Sequence, residues 1–254
     1  MTHARKRPDK AAMTLQLDRA PSVDGENLEV GAADRAAPSP TGSARRAQRS
    51  IGPSPRQIAK SGAMRLRVLE ATIDCLQEGK SHEVSIAVIA EHAAISRGAV
   101  QYHFATRRDL LCAVIEHINA RRLQQFSADL AAIRPDEDLA ERMVDTHWKH
   151  LGERDFLAYQ ELVLLARSDP ELTEAFAPIY QAFLAEWYET ARRAFGWSYR
   201  DREVMKAGNI VHYVLEGMAY GQLAGQLSPD VIADMLDHSK SILRAAIQKK
   251  QDGG

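Results

Sequence analysis

Arg97 and Gln101 stand four residues apart, one helical turn, in the run ISRGAVQYHF. A guanidinium can bond bidentately to guanine and a carboxamide to adenine. Two such side chains on one exposed helical face are suited to reading base edges in a DNA major groove. Gly98 and Ala99 between them are short enough to let the backbone approach base edges and a thymine methyl group. Tyr102, His103 and Arg107 follow, and are expected to lie nearer the phosphates, where they set position rather than sequence. No Ser-His-Asp or Cys-His arrangement, Gly-rich phosphate loop or spaced carboxylate pair accompanies this run. The chain is therefore expected not to be an enzyme and to use no cofactor.

Such side chains need elements to hold them. Ser85 opens a short segment in which Ile86, Ile89, Ala90 and Ala93 face one way, and Ser96 opens a second that carries Val100 and Phe104. A helix-turn-helix over 85–104 meets the spatial requirement. Ala90 is small where the two helices touch, Ala93, Ile95 and Val100 are apolar where a three-helix core needs them, and the turn is short. Capping by Ser96 leaves free N–H groups at the start of the second helix directed at DNA phosphate, and Ser85 belongs to the same DNA-facing set. Net charge does not add to the case, because residues 62–112 hold 6 basic and 6 acidic side chains. What matters is placement, with Arg97, His103, Arg107 and Arg108 gathered on one side of the turn.

The run SIAVIAEHAAISRGAVQYHFATRRDLL resembles the signature of the TetR family of transcription regulators. The resemblance rests on Ile89-Ala90, Ser96, Gly98, His103-Phe104 and Leu110. Two positions depart from the family's pattern. Ala94 stands where a turn glycine is common, and a non-glycine residue at positive φ costs about 1 kcal/mol. Gln101 stands where tyrosine is common, exchanging a phosphate-positioning group for a base reader. The resemblance implies an all-α fold, with a three-helix DNA-binding domain at 62–122 and a helical ligand-binding and dimerisation domain at 123–254. It further implies a homodimer on palindromic double-stranded operator DNA, most simply a repressor released by a small, mostly apolar effector. The alternative is a helical small-molecule-binding adaptor that has lost specific DNA binding, with Ala94 and Gln101 as its early signs.

Residues 1–61 are rich in Ala, Pro, Ser, Gly and Arg, with long apolar residues scattered singly, and are expected to form a disordered basic tail. This segment has 11 Lys or Arg against 6 Asp or Glu. It is either an inert extension or a source of phosphate attraction through Arg45, Arg46, Arg49, Arg56 and Lys60. Helical periodicity starts at Gly62 with Leu66, Leu69, Ile73 and Leu76, and Gly79 can close that helix. A long helix is expected from the Thr106 cap to near Pro135. Further helices are expected at 138–151, 155–167, 171–195, 201–224 and 229–248. No segment alternates as a strand does. The basic, polar N-terminus and the lack of a long apolar run suggest a cytoplasmic protein without a membrane partner. Cys75 and Cys112 form no CxxC pair, which argues against a disulfide framework or a zinc site. They read as buried hydrophobes or, alternatively, as a redox switch.

Gly217, Gly221 and Gly225 recur every four residues, and each costs a helix about 1 kcal/mol relative to alanine. They read as a packing face for the last helix, whose apolar stripe includes Val231, Ile232, Met235, Leu236, Ile242 and Leu243. That face serves either packing within the chain or a two-fold dimer through a four-helix bundle. A cavity in the helical bundle is expected to draw on His147, Trp148, Tyr159, Glu161, Tyr180, Phe183, Trp187, Asn209, His212 and Tyr213, although helical spacing alone would also place the aromatics in a plain core. His147 with His150, and His212 with Glu216, have spacings that can put two metal ligands on one helix face. Hydrogen-bonded or surface histidines are the favoured reading, with no metal.

Overall fold

The computed structural model describes residues 54–197 and 201–252. Among these residues the secondary structure is helical: α1 (Pro55–Gln77), a short 3₁₀ turn (Ser81–Glu83), α2 (Ile86–His92), α3 (Arg97–His103), α4 (Arg107–Ala131), α5 (Leu139–Leu151), α6 (Arg154–Ser168), α7 (Pro170–Phe195), α8 (Arg202–Leu223) and α9 (Pro229–Asp252).

The first helix starts seven residues before the periodicity suggests. Ser54 and Gln57 form a reciprocal cap: the Gln57 amide donates to Ser54 Oγ (3.3 Å), the Ser54 amide donates to Gln57 Oε1 (2.7 Å), and Pro55 occupies the first helical position. Apolar spacing misses these turns because they bury almost nothing. The expected tail over 1–61 is thus shortened at its C-terminal end; residues 1–53, with Arg45, Arg46 and Arg49, lie outside the described residues. Leu66, expected in the buried stripe, is 47% exposed, while Val68, Leu69, Thr72, Ile73 and Leu76 are buried. At the far end Gly79 (φ +72°) lets the Gly79 and Lys80 amides donate to the carbonyls of Leu76 and Cys75, so this glycine closes α1 as expected.

The helix-turn-helix is built in the same way. Ala94, at φ +50°, is the single non-glycine residue at positive φ among the described residues. Its amide donates to Glu91 O (2.9 Å) and that of Ile95 to Ala90 O (2.9 Å), which is a Schellman closure of α2 made without glycine. Thr106 and Asp109 cap α4 reciprocally.

Two apolar cores result. The first joins Leu69, Ile73 and Leu76 of α1 to Ile89, Ala90, Val100, Phe104, Leu110, Leu111 and Val114, and continues into Leu162, Leu172 and Phe176 of α6 and α7. The second lies among α5, α8 and α9. The boundary expected at 122/123 falls inside α4, so one uninterrupted helix runs from one functional half to the other. Beside it, Glu70 and Asp74 of α1 are held by Arg154 of α6 (2.7 Å to each carboxylate), while Arg121 of α4 bonds to Glu70 (2.7 Å) and Asp155. Burial opposes ionisation of Glu70, but Arg154, His117 and Arg121 outweigh it and keep its carboxyl below the usual range.

Candidate nucleic-acid interface and ligand cavity

α3 presents its outer face to solvent. Ser96 Oγ accepts from the Ala99 amide (3.1 Å), Val100 is buried beneath, and Ser96, Arg97, Gly98 and Gln101 are exposed. Tyr102 is 81% exposed, a large apolar area for an isolated molecule to leave in water. Its ring meets that of His103 edge-on at 5.1 Å, and His103 and Ala99 are half-buried. Three of the expected DNA-facing residues have structural duties, Ser96 through the cap of α3 among them. Ser85 caps α2 by accepting from the Val88 amide (3.3 Å). Arg107 donates through Nε to the Val84 carbonyl (2.7 Å), fastening the start of α4 to the segment before α2. That bond occupies Nε and gives Arg107 a structural duty beside the phosphate contact expected of it. Arg108 pairs with Glu171 (3.2 Å).

A cavity of about 150 Å³ lies among α4, α5, α6, α7, α8 and Leu243 of α9. Seven of the expected residues line it: His147, Tyr159, Tyr180, Phe183, Trp187, Asn209 and His212. Three do not, namely Trp148, Glu161 and Tyr213. Successive helical residues point about 100° apart. Trp148 therefore turns from His147's direction into the α5/α8/α9 core, and Tyr213, next to His212, is 56% exposed. Glu161, two residues beyond Tyr159, is half-buried outside the cavity.

The lining also includes residues absent from the expected set: Arg122, Phe126 and Asp129 of α4, His150 of α5 and Glu216 of α8. Arg122 had a signal in the sequence, since it falls in phase with the buried stripe Ile115, Ile118, Asn119 and Phe126. Its guanidinium carbon sits 4.8 Å from the ring centres of Tyr159 and Phe183 and 5.3 Å from that of Phe156. Trp187 stacks on Phe126 at 3.7 Å.

Polar groups run across the cavity in a chain. His147 Nε2 and His212 Nδ1 are 3.1 Å apart, so one of them donates, and His212 Nε2 is 3.4 Å from Glu216 Oε1. Burial pushes His147 well below its ordinary value, with His212, Arg122 and His150 adding to the effect. Burial and Arg122 push His212 down to about 4. Burial pushes the Glu216 carboxyl up, against Arg122. At neutral pH both imidazoles are therefore uncharged. His150 turns instead to Asp129 (3.3 Å), so the two histidine pairs do not converge on one point. Among the described residues no group of three or more His, Cys, Asp or Glu side chains is placed to hold a metal ion, and no helix is long and apolar enough to cross a membrane.

On α8 the glycines divide their work. Gly221 admits Leu227, whose Cδ1 lies 2.9 Å from where a Cβ would be, and Gly225 (φ +65°) closes the helix. Both have a task within their own chain that their equal spacing does not distinguish. Gly217 has open space beside it, in an exposed stripe with Ile210, Tyr213 and Tyr220, next to exposed Leu223 and Val231. Met235, Leu236 and Ile242 are half-buried against the second core of their own chain.

Residues 68–114 match the family model described as bacterial regulatory proteins, tetR family, and residues 134–240 match that described as tetracyclin repressor-like, C-terminal domain. The chain belongs to the TetR family. The HTH-type transcriptional regulator CymR of Pseudomonas putida is 30% identical over 108 residues, 42% of this chain and 53% of CymR. The HTH-type transcriptional regulator Mb2936c of Mycobacterium bovis is 30% identical over 127 residues, 50% of this chain and 65% of that relative. The chain thus spans about half to two thirds of the length of these curated relatives. The solved structure of SCO7518 from Streptomyces coelicolor A3(2) shares the fold, with a TM-score of 0.53 at 22% identity over 71% of this chain and 98% of that one. The TetR N-terminal match covers the second part of α1, then α2, α3 and the start of α4. The C-terminal match begins beyond α4, so the stretch of α4 that carries Arg122 lies between the two.

Proposed function

We propose that this TetR-family chain is a DNA-binding transcription regulator, a homodimeric repressor released by a small, mostly apolar effector. The observation that carries this reading is α4. It begins at the turn that seats α3 and, 15 residues later, supplies Arg122 to the cavity wall; at about 1.5 Å per residue this is roughly 22 Å of one rigid element. Arg107 ties its start to the segment before α2, and Arg121 ties its middle to α1 and α6. A ligand that shifts α4 therefore shifts α3, and the energy available for this is the ligand's differential affinity for the two positions.

Arg97 and Gln101 are the base readers, with Tyr102 and His103 toward the phosphates. Ser85, Ser96 and Arg107 hold the motif in shape, and Gly98 and Ala99 allow close approach. Two copies meet through the exposed stripe of α8 and the start of α9, and a two-fold operator then calls for the two α3 helices to enter successive major grooves, about 34–36 Å apart. A gel-shift assay on the DNA upstream of its own gene tests the reading. Salt-sensitive binding to a palindrome is expected there, and the absence of any such binding overturns it.

A further inference from the structure

Arg121 and Arg122 are neighbours in sequence with opposite circumstances. Arg121 forms ion pairs with Glu70 and Asp155. Arg122, turned about 100° around α4, faces the cavity and makes no ion pair among the described residues; three aromatic rings are its close company. A buried charge of this kind is costly unless it is paired, and arginine does not lose its proton to escape. Its surroundings are arranged to receive an anion. His147 and His212 are neutral, so of their two ring N–H groups one is spent in the bond between them and one remains, and Tyr159 lies against the guanidinium. Glu216 is the carboxyl nearest in effect, and His212 stands beside it. The opposite wall is apolar and flat, with Phe126 stacked on Trp187 and Phe183 beside them. A void of about 150 Å³ holds one six-membered aromatic ring.

We propose that the cavity takes a small organic monoanion, a single-ring aromatic carboxylate, whose carboxylate lies on Arg122 and whose ring lies against Phe126, Phe183 and Trp187. Planar bidentate pairing suits a guanidinium to a carboxylate, and the paired form removes the cost of the isolated charge. The proposal rests on the cavity being the effector site and narrows the effector from mostly apolar to apolar with one acid group.

The test is calorimetric titration of the full chain, without DNA, with benzoate and with benzamide, its neutral counterpart of nearly equal size. Benzoate is expected to bind with a dissociation constant of about 1 mM or tighter and benzamide at least about tenfold more weakly. Arg122→Gln is expected to abolish the preference for benzoate while leaving benzamide binding in place, and Arg122→Lys to restore part of it. If Arg122→Gln does not fold, Glu216→Gln serves instead: removing a competing carboxyl is expected to tighten benzoate at least threefold, an estimate at the low end of charge-assisted bonding. Equal binding of the two probes, no benzoate binding, or unchanged benzoate affinity in Arg122→Gln overturns the proposal. A chain that binds operator but not benzoate sinks only this inference. One that binds benzoate but no DNA sinks the regulator reading and leaves this one standing.

Discussion

The outer face of α3 and the wall of the cavity hold similar side chains under opposite conditions. Arg97 is exposed beside Gln101 and an open tyrosine ring, whereas Arg122 is enclosed by Phe156, Tyr159 and Phe183. In water the first charge costs little and reaches a partner by swinging to it; its attraction to phosphate is screened by salt within about 10 Å. The second is held in place before its partner arrives, and salt scarcely reaches it. One molecule therefore carries a recognition surface sensitive to ionic strength and an enclosed site insensitive to it, joined by α4.

The comparison breaks most readily at the proposed contact between two copies. Tyr213→Glu with Tyr220→Glu places four charges in a two-fold interface, and the dimer dissociation constant is expected to rise at least about 100-fold, with operator binding lost alongside. Sedimentation velocity checks this, and an unchanged dimer moves the interface away from α8. Next in size, Arg97→Ala is expected to weaken operator binding about 10- to 100-fold per half-site and to relax the preference at one base pair, read by gel shift on single-base operator variants. Equal loss on every variant would make Arg97 a phosphate contact.

The cavity has its own signature, in acid. His212 is held down to about 4 in the fold against an ordinary 6.5, so the unfolded chain takes up that proton first. Stability from this group is complete above pH 6.5 and is lost as the pH falls from there toward 4, a loss on the order of 1–3 kcal/mol. Urea unfolding at about pH 7 and about pH 5 is expected to show a smaller drop for His212→Gln than for the unaltered chain. The smallest effect belongs to the turn. Ala94→Gly relieves the positive φ and is expected to add about 1 kcal/mol in the same assay, whereas a loss would mean that the Ala94 methyl group has a packing role.

The α3 surface was largely legible in the sequence because one continuous run makes it. Ser85, Ser96 and Thr106 cap their helices from signals a few residues long, and the strain at Ala94 follows from where a turn must lie. The structural duty of Arg107 was not legible, because the Val84 carbonyl that engages it lies 23 residues away. The cavity is assembled by six helices whose rotations are set by packing, so the sequence identified the helices better than the faces. His147 and His212 line the cavity while their neighbours Trp148 and Tyr213 do not. The signal for Arg122 was a positive charge in the rhythm of a buried stripe, and a boundary drawn at 122/123 hid it. Gly221 and Gly225 show the same limit, since equal spacing covered two unlike tasks.

The stacking of Trp187 on Phe126 has an optical consequence. The chain contains 3 tryptophans, and two of them, Trp187 and Trp197, border the cavity. An aromatic guest that settles against the stacked pair alters the surroundings of an indole, so the intrinsic fluorescence of the protein becomes a label-free gauge of occupancy. Libraries of small acids can then be surveyed in a cuvette before any operator is known.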